Sequence, residues 1–230
     1  MPSKRYRKAT EQVDASKAYP LKNAVEVLAK FPKAKFNETI DLAFRLGVDP
    51  KQSDQMVRGT VPLPHGSGKT VKVLVFAKSD AADAARAAGA EFVGYDDMIK
   101  KCQEGWTGFD VAIATPEAMA EVRKLGKVLG PRGLMPNPKT GTVTEDTAKA
   151  VKEVKAGRVE FKVDKAGNVH VPVGKASFAP QQIEENARAV IEAVTRARPH
   201  SVKGLFIESC TISATMSPPV QLDVREFHTT

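Results

Sequence analysis

Between residues 67 and 157, short apolar strand patterns alternate with alanine-rich helical patterns, and this alternation limits the possible folds more than any other feature. The predicted strands are 71–77, 91–93 and 111–114, and the predicted helices are 80–88, 96–103 and 116–125. Helices that separate consecutive strands cover the faces of a parallel sheet. The segment therefore predicts a Rossmann-like α/β domain. Thr144, Glu145 and Asp146 are typical of the start of one more helix, and Gly157 of its end.

Period-two alternation flanks this segment on both sides. Before it, apolar residues alternate with polar ones, which is typical of a half-buried strand. The apolar residues of this pattern are Phe36, Ile40, Leu42, Phe44 and Leu46. After it, the pattern predicts a hairpin of 159–163 and 169–173, a helix over 180–198 and a strand over 202–212. A short helical stripe also precedes Pro32, since a proline disfavours helix in the residue before it.

An α/β segment between two antiparallel segments predicts an insertion. We expect two domains in a fold that is both α/β and α+β. Residues 1–66 with 158–230 would form a discontinuous α+β domain, an antiparallel sheet with helices. Residues 67–157 would form the inserted α/β domain.

The composition narrows the class of partner. The net charge of +8 and the pI near 9.4 favour an acidic partner, and the excess lies in the first two thirds of the chain. Cys102 and Cys210 lack a second ligand type at metal spacing, so we expect buried thiols, no metal and no cofactor. No apolar run approaches the roughly 18 residues of a membrane span. We therefore expect a cytoplasmic protein without a membrane partner.

The segment from Leu125 to Val143 is basic and rich in turn-forming residues. It contains three prolines and four glycines, and Arg123 to Lys139 holds five cations and no carboxylate. Lys127, Arg132 and Lys139 are its central cations. Prolines fix φ while glycines let the backbone bend sharply, so the pattern indicates a rigid basic surface loop. Such a loop suits a polyanion better than a small substrate.

This segment resembles the signature of the bacterial large-subunit ribosomal protein L-one family. The resemblance continues in four further segments that span nearly the whole chain: 35–39, 53–60, 161–170 and 215–216. It implies a large-subunit component that binds ribosomal RNA, forms the mobile stalk and assists release of deacylated tRNA from the exit site. It also implies repression of the chain's own operon messenger RNA, a monomer off the ribosome and no enzymatic activity.

The resemblance also implies which side chains meet RNA. They are Lys35, Phe36, Glu38, Thr39, Asp164, Lys165, His170, Ser209, Thr215, Met216 and Ser217. Cations suit phosphates, whereas hydroxyls and carboxylates suit ribose and base edges. Ser217 stands where the family usually has glycine. From the residues alone, Phe36 or Met216 could equally be core, and His170 could be a solvated group on a wet sheet face.

Two other classes of function stay open from the residues. Gly66 to Thr70 matches the tail of a phosphate-binding loop, which would suit a nucleotide-hydrolysing or nucleotide-regulated enzyme. Leu63 stands where that motif needs glycine, and a strand pattern follows instead of a helix, so we favour a hinge. The third reading is a basic protein-interaction module.

Overall fold

The structure, a computed structural model, describes residues 3–227, without the side chains of Ser79 and Lys139. The α-helices are α1 Lys4–Thr10, α2 Leu21–Lys30, α3 Ser79–Ala87, α4 Asp96–Gln103, α5 Met119–Val122, α6 Gly126–Leu129, α7 Thr147–Lys155 and α8 Pro180–Arg196. The strands are β1 Thr39–Leu46, β2 Arg58–Pro62, β3 Val73–Phe76, β4 Phe92–Gly94, β5 Val111–Ala114, β6 Arg158–Lys162, β7 Asn168–Lys175, β8 Ile207–Ala214 and β9 Val220–Leu222. Short 3-10 segments are Ser53–Gln55, Arg123–Leu125, Pro138–Thr140 and Val224–Phe227. The chain is thus mixed α/β with several sheets.

The chain divides into two compact units. The outer unit comprises the chain up to Gly68 together with the chain from Val159 onward, and the inserted unit is Lys69–Arg158. Within residues 3–227, the outer unit has one hydrophobic core, and the inserted unit has two smaller clusters, one on each face of its sheet.

The outer unit is built on an antiparallel four-stranded sheet of order β7-β1-β8-β9. The even-numbered residues of β1 are buried, as the alternation predicts, and they face helices α2 and α8: Ile40, Leu42, Phe44 and Leu46. The buried stripes of α2 and α8 complete this core, with Val190 and Val194 fully buried. The odd-numbered residues of β1 consequently lie on the other face of the sheet.

The prediction of a hairpin over residues 159–173 is wrong. A tight turn does join the two strands, and the N–H of Asp164 donates to the carbonyl of Asn168 at 2.8 Å. Beyond the turn the strands enter different sheets, because β6 pairs with β2 while β7 pairs with β1. Arg58 and Glu160 form an ion pair across the β2–β6 pair. Long-range partners therefore override the local preference for a hairpin.

Two further expectations need correction in the outer unit. The last strand begins at Ile207 rather than Val202, because Gly204 takes a positive φ of 91° that a strand does not allow. Phe36 precedes β1 and is exposed, so its parity with Ile40 does not place it in the core. The amino-terminal basic segment forms helix α1, whose first turn is capped by Ser3.

The inserted unit is built on a parallel three-stranded sheet of order β4-β3-β5. Val73 and Val75 face the cluster of α3 and α7, whereas Leu74 and Phe76 face the cluster of α4 and the segment from α5 to α6. Asp146 caps α7 by accepting from the N–H of Lys149. The helix predicted over 116–125 is broken into α5 and a 3-10 turn, and the chain continues helically through α6.

Both cysteines are buried free thiols, as predicted. Cys102 lies on α4 and Cys210 on β8, and burial raises the pKa of each thiol. A thiol held protonated in an apolar environment is chemically inert. Both residues therefore act as small hydrophobic core residues.

Candidate nucleic-acid interface

The start of β1 and the turn after β8 are joined by hydrogen bonds between two threonines. The N–H of Thr39 donates to Oγ1 of Thr215 at 3.1 Å, and the N–H of Thr215 donates to the carbonyl of Thr39 at 3.0 Å. These bonds fix the two segments that carry Phe36 and Met216. Both apolar side chains are exposed, at 54% and 52%. The alternative that either residue belongs to the core is therefore wrong.

Two more contacts order this end of the sheet, and the sequence analysis missed both. Lys175, at the end of β7, donates from Nζ to Oγ1 of Thr39 at 2.8 Å. Asn37 and Ser177 exchange two hydrogen bonds, of 3.1 and 3.2 Å. The antiparallel register that sets Thr39 opposite Lys175 brings these residues together. Only the pairing of β1 with β7 reveals them, because they are well over a hundred residues apart in sequence.

Ser217 closes the turn after β8 with its own side chain. Its Oγ accepts from the N–H of Ala214 at 2.9 Å, and its N–H donates to the carbonyl of Ala214 at 3.0 Å. A glycine at this position would supply only the second bond. The serine therefore adds a contact that holds the turn beside Met216.

Glu38 is placed differently from the expectation for an RNA contact. It is 4% exposed, and its Oε1 accepts from Nη1 of Arg5 at 2.9 Å and from the N–H of Ala34 at 3.2 Å. The Glu38 carboxylate therefore forms its hydrogen bonds within the protein. Helix α1 supplies the cation, Arg5, that pairs with the carboxylate there.

The sheet presents one face away from helices α2 and α8, here called the open face. Its residues are Asp41, Ala43 and Arg45 of β1, Asn168, His170 and Pro172 of β7, Ser209, Thr211 and Ser213 of β8, and Gln221 of β9. Most of these side chains are polar, and His170 is exposed. An eight-residue strand such as β1 extends roughly 25 Å, so the open face can span several nucleotides.

The far end of the open face carries the turn with Asp164 and Lys165. Oδ1 of Asp164 accepts from the N–H groups of Asn168 and Ala166, at 2.7 and 2.8 Å. These bonds, led by that from Asn168, lower the pKa of the Asp164 carboxyl. The carboxylate therefore builds the turn, while Lys165 is exposed beside it.

Asp41 lies on the open face of β1, between Pro172 of β7 and Ser213 of β8. Partial burial raises the pKa of its carboxyl, and the nearby His170 and Lys175 oppose that rise without cancelling it. A carboxylate whose pKa is raised in the folded state destabilises the fold when ionised. It also repels phosphate groups.

We therefore expect Asp41→Asn to raise the free energy of unfolding at neutral pH. The gain should be present above the folded-state pKa and should vanish below the ordinary pKa of about 4. Urea unfolding of both proteins between pH 3 and pH 7 measures this difference. Asp164→Asn serves as the opposite control, because it removes a carboxyl whose pKa is lowered. A gain that persists unchanged at pH 3 would contradict the assignment.

The basic segment of the inserted unit is more ordered than a surface loop. Leu125 and Leu129 are buried, and Leu134 and Met135 pack against the same cluster. Lys127 lies on α6, and exposed Arg132 hydrogen-bonds Thr107. The side chain of Lys139 lies outside the described part of the structure.

The segment from Gly66 to Thr70 does not form a phosphate-binding loop. The chain continues from it into β3 instead of a helix, so the backbone N–H groups of a helix start are lacking at this position. Lys69 pairs with Asp110. Gly66 and Gly68 take positive φ values of 69° and 67°, which suits a bend in the backbone of this segment.

Comparison with known proteins identifies the family. The sequence pattern of the Ribosomal protein L1p/L10e family matches residues 28–218. This chain belongs to that family. It is 54% identical to the large ribosomal subunit protein uL1 of Chlorobium phaeobacteroides over 227 residues, 99% of each chain. Similar proteins of the same name come from Protochlamydia amoebophila, at 53% identity over 98% of this chain and 95% of that one, and from Clavibacter michiganensis, at 54% over 98% and 99%.

The relatives are named as ribosomal proteins and not as enzymes. Within residues 3–227, no three His, Cys, Asp or Glu side chains are grouped as metal ligands would be. No helix in the same range is long and apolar enough to cross a membrane.

Proposed function

We propose that this chain is a constituent of the large ribosomal subunit that binds large-subunit ribosomal RNA through its outer unit and has no catalytic role. Family membership supports the ribosomal part of the proposal. One observation supports this surface as the RNA-binding site. Phe36 and Met216 are both exposed, and they lie on two segments that the Thr39–Thr215 hydrogen bonds hold together. An exposed aromatic ring on a rigid polar surface suits the stacking of an unpaired base.

Recognition would combine stacking, hydroxyl contacts and charge. Phe36 offers a ring on which an unpaired base can stack. Thr39, Thr215 and Ser209 offer hydroxyls to ribose 2′-hydroxyls and base edges. Lys35 and Lys165 are exposed at opposite ends of the surface and suit phosphates. His170 lies on the open face between them.

The inserted unit has a separate role in this proposal. We infer a Rossmann-like domain carried on two chain connections, which moves as part of the stalk and helps deacylated tRNA leave the exit site. Its basic residues Lys127, Arg132 and Lys139 would contribute long-range attraction to RNA. The free protein, a cytoplasmic monomer, would bind a similar site on its own operon messenger RNA and repress translation.

Gel-shift titration with deproteinised large-subunit ribosomal RNA tests the proposed surface. We expect Thr215→Ala to weaken binding by about 1 kcal/mol, because it removes a hydroxyl and leaves the N–H of Thr39 without its acceptor. Thr215→Ser keeps the oxygen and should bind like the parent protein.

Unchanged affinity in both Thr215→Ala and Phe36→Ala would show that this surface does not bind the RNA. Sedimentation of a lysate at low and high salt gives a second test. A stalk component should travel with large subunits at low salt, and ribonuclease should release it. Retention after ribonuclease would favour a protein-interaction module instead.

A further inference from the structure

Arg5 of helix α1 connects three segments that are distant in sequence. Its Nη1 donates to Oε1 of Glu38 at 2.9 Å and to the carbonyl of Pro32 at 3.2 Å. Its Nη2 donates to the carbonyl of Met216 at 3.0 Å. One guanidinium therefore contacts the start and the end of the loop that precedes β1 and the turn that follows β8. Phe36 lies in that loop, and Met216 lies in that turn.

The ion pair between Arg5 and Glu38 is shielded from water. The side chain of Glu38 is 6% exposed and that of Arg5 is 26% exposed. A buried carboxylate is costly without a cation and hydrogen-bond donors. Glu38 receives both, since Ala34 also donates its N–H to the same oxygen. Without the Arg5 guanidinium, the Glu38 carboxylate would turn toward solvent to be hydrated. The loop from Pro32 to Glu38 would then change its position.

The helix that carries Arg5 is itself fixed to the outer unit. Ser3 caps its first turn by accepting from the N–H of Tyr6 at 3.2 Å, and Ala9 is buried in the core of the outer unit. Arg5 is thus presented from an ordered element rather than from a tail. A guanidinium suits this position because its planar fork donates to several acceptors at once.

We propose that Arg5 is the positioning residue that sets the Phe36 loop and the Met216 turn in their relative place before RNA arrives. The proposal rests on the assignment of RNA binding to this surface. Arg5 acts through Glu38 and the Met216 carbonyl and not by contacting phosphate. Its contribution to affinity is preorganisation, which lowers the entropy lost when the surface binds.

The free protein provides a test that does not depend on RNA. Arg5→Gln should shift the backbone amide NMR signals of Ala34, Met216 and Ser217. Lys8→Gln is the matched control, because it removes one positive charge from an exposed position on the same helix. We expect Lys8→Gln to leave these three signals in place. Equal shifts in both variants, or none in Arg5→Gln, would overturn the positioning role.

RNA titration supplies the second test, with deproteinised large-subunit ribosomal RNA as the probe. Arg5→Gln should weaken binding on the order of tenfold, and Lys8→Gln by less than about twofold, the scale of one screened surface charge. Arg5→Lys should fall between the parent and Arg5→Gln, because an ammonium can pair with Glu38 but lacks the planar fork. The salt dependence of binding should keep its slope in Arg5→Gln.

A double-mutant cycle separates positioning from direct contact. If Arg5 acts by placing Met216, the losses from Arg5→Gln and Met216→Ala should be less than additive. Additive losses, together with a salt slope lowered by about 0.7 to 0.9, the value for one phosphate contact, would overturn the proposal. If the parent protein itself fails to bind the RNA, the proposed function fails, while the NMR comparison still decides the role of Arg5.

Discussion

Phe36→Ala is expected to weaken binding to large-subunit ribosomal RNA by about 1–3 kcal/mol, the range for one aromatic side chain that stacks on a base. The ring is more than half exposed, in the loop held by Arg5 and Glu38. A base can therefore stack on it without rearranging the core. Filter-binding or gel-shift titration at fixed salt measures the loss.

Two control variants make the Phe36 result specific. Phe36→Leu keeps an apolar side chain but not the ring, so it should recover little of the affinity if stacking is the mechanism. Leu205→Ala removes another exposed apolar side chain of the outer unit and should leave RNA affinity unchanged. Full recovery by leucine would favour a simple apolar contact, and unchanged affinity in Phe36→Ala would remove the residue from the interface.

Phe44→Ala is expected to destabilise the outer unit by about 3–5 kcal/mol, the range for truncating a buried phenylalanine. Phe44 is 1% exposed on β1, between Val169 of β7 and Cys210 of β8. The neighbouring strands are held by their hydrogen bonds and cannot collapse fully into the cavity. Urea unfolding followed by far-ultraviolet circular dichroism measures the change.

The location of the single tryptophan gives this experiment an internal control. Trp106 packs with Phe92 and Phe109 in the inserted unit, so its fluorescence reports on that unit. Because the two units have separate cores, we expect the fluorescence transition to keep its midpoint in Phe44→Ala. Phe36→Ala should leave both transitions in place, since truncating an exposed side chain removes little buried area. A large shift of the fluorescence midpoint in Phe44→Ala would show that the units unfold together.

Local sequence patterns predicted helices and strands correctly where the residues that decide the structure are close in sequence. The predicted bounds of α4 and β5 equal the observed ones, Asp96–Gln103 and Val111–Ala114. The buried parity of β1 from Ile40 to Leu46 was also predicted. A strand that lies between a core and an exposed face must alternate, so the sequence carries this information directly. The basic segment from Leu125 to Val143 resembles the signature of the ribosomal protein family, so the sequence alone likewise indicated the family.

Local patterns failed where a distant partner decides the outcome. The two strands predicted to form a hairpin lie in different sheets, because β6 pairs with β2 and β7 pairs with β1. No local sequence signal reveals these partners. The predicted helix over 116–125 was interrupted by the 3-10 turn Arg123–Leu125, where Leu125 packs in a cluster with Leu74 and Phe76 of β3. The resemblance implies an RNA contact for Glu38, yet its side chain is 6% exposed and pairs with Arg5.

The sequence by itself determined the periodicities, the apolar stripes, the charge and the family, since each depends on the order of nearby residues. Tertiary structure alone decided which strands pair, that Phe36 and Met216 are exposed on joined segments, and that Arg5 and Glu38 connect them. Those outcomes depend on contacts between residues that are far apart in sequence, by 33 residues for Arg5 and Glu38 and by 211 for Arg5 and Met216, and no local pattern records the free energies of such contacts.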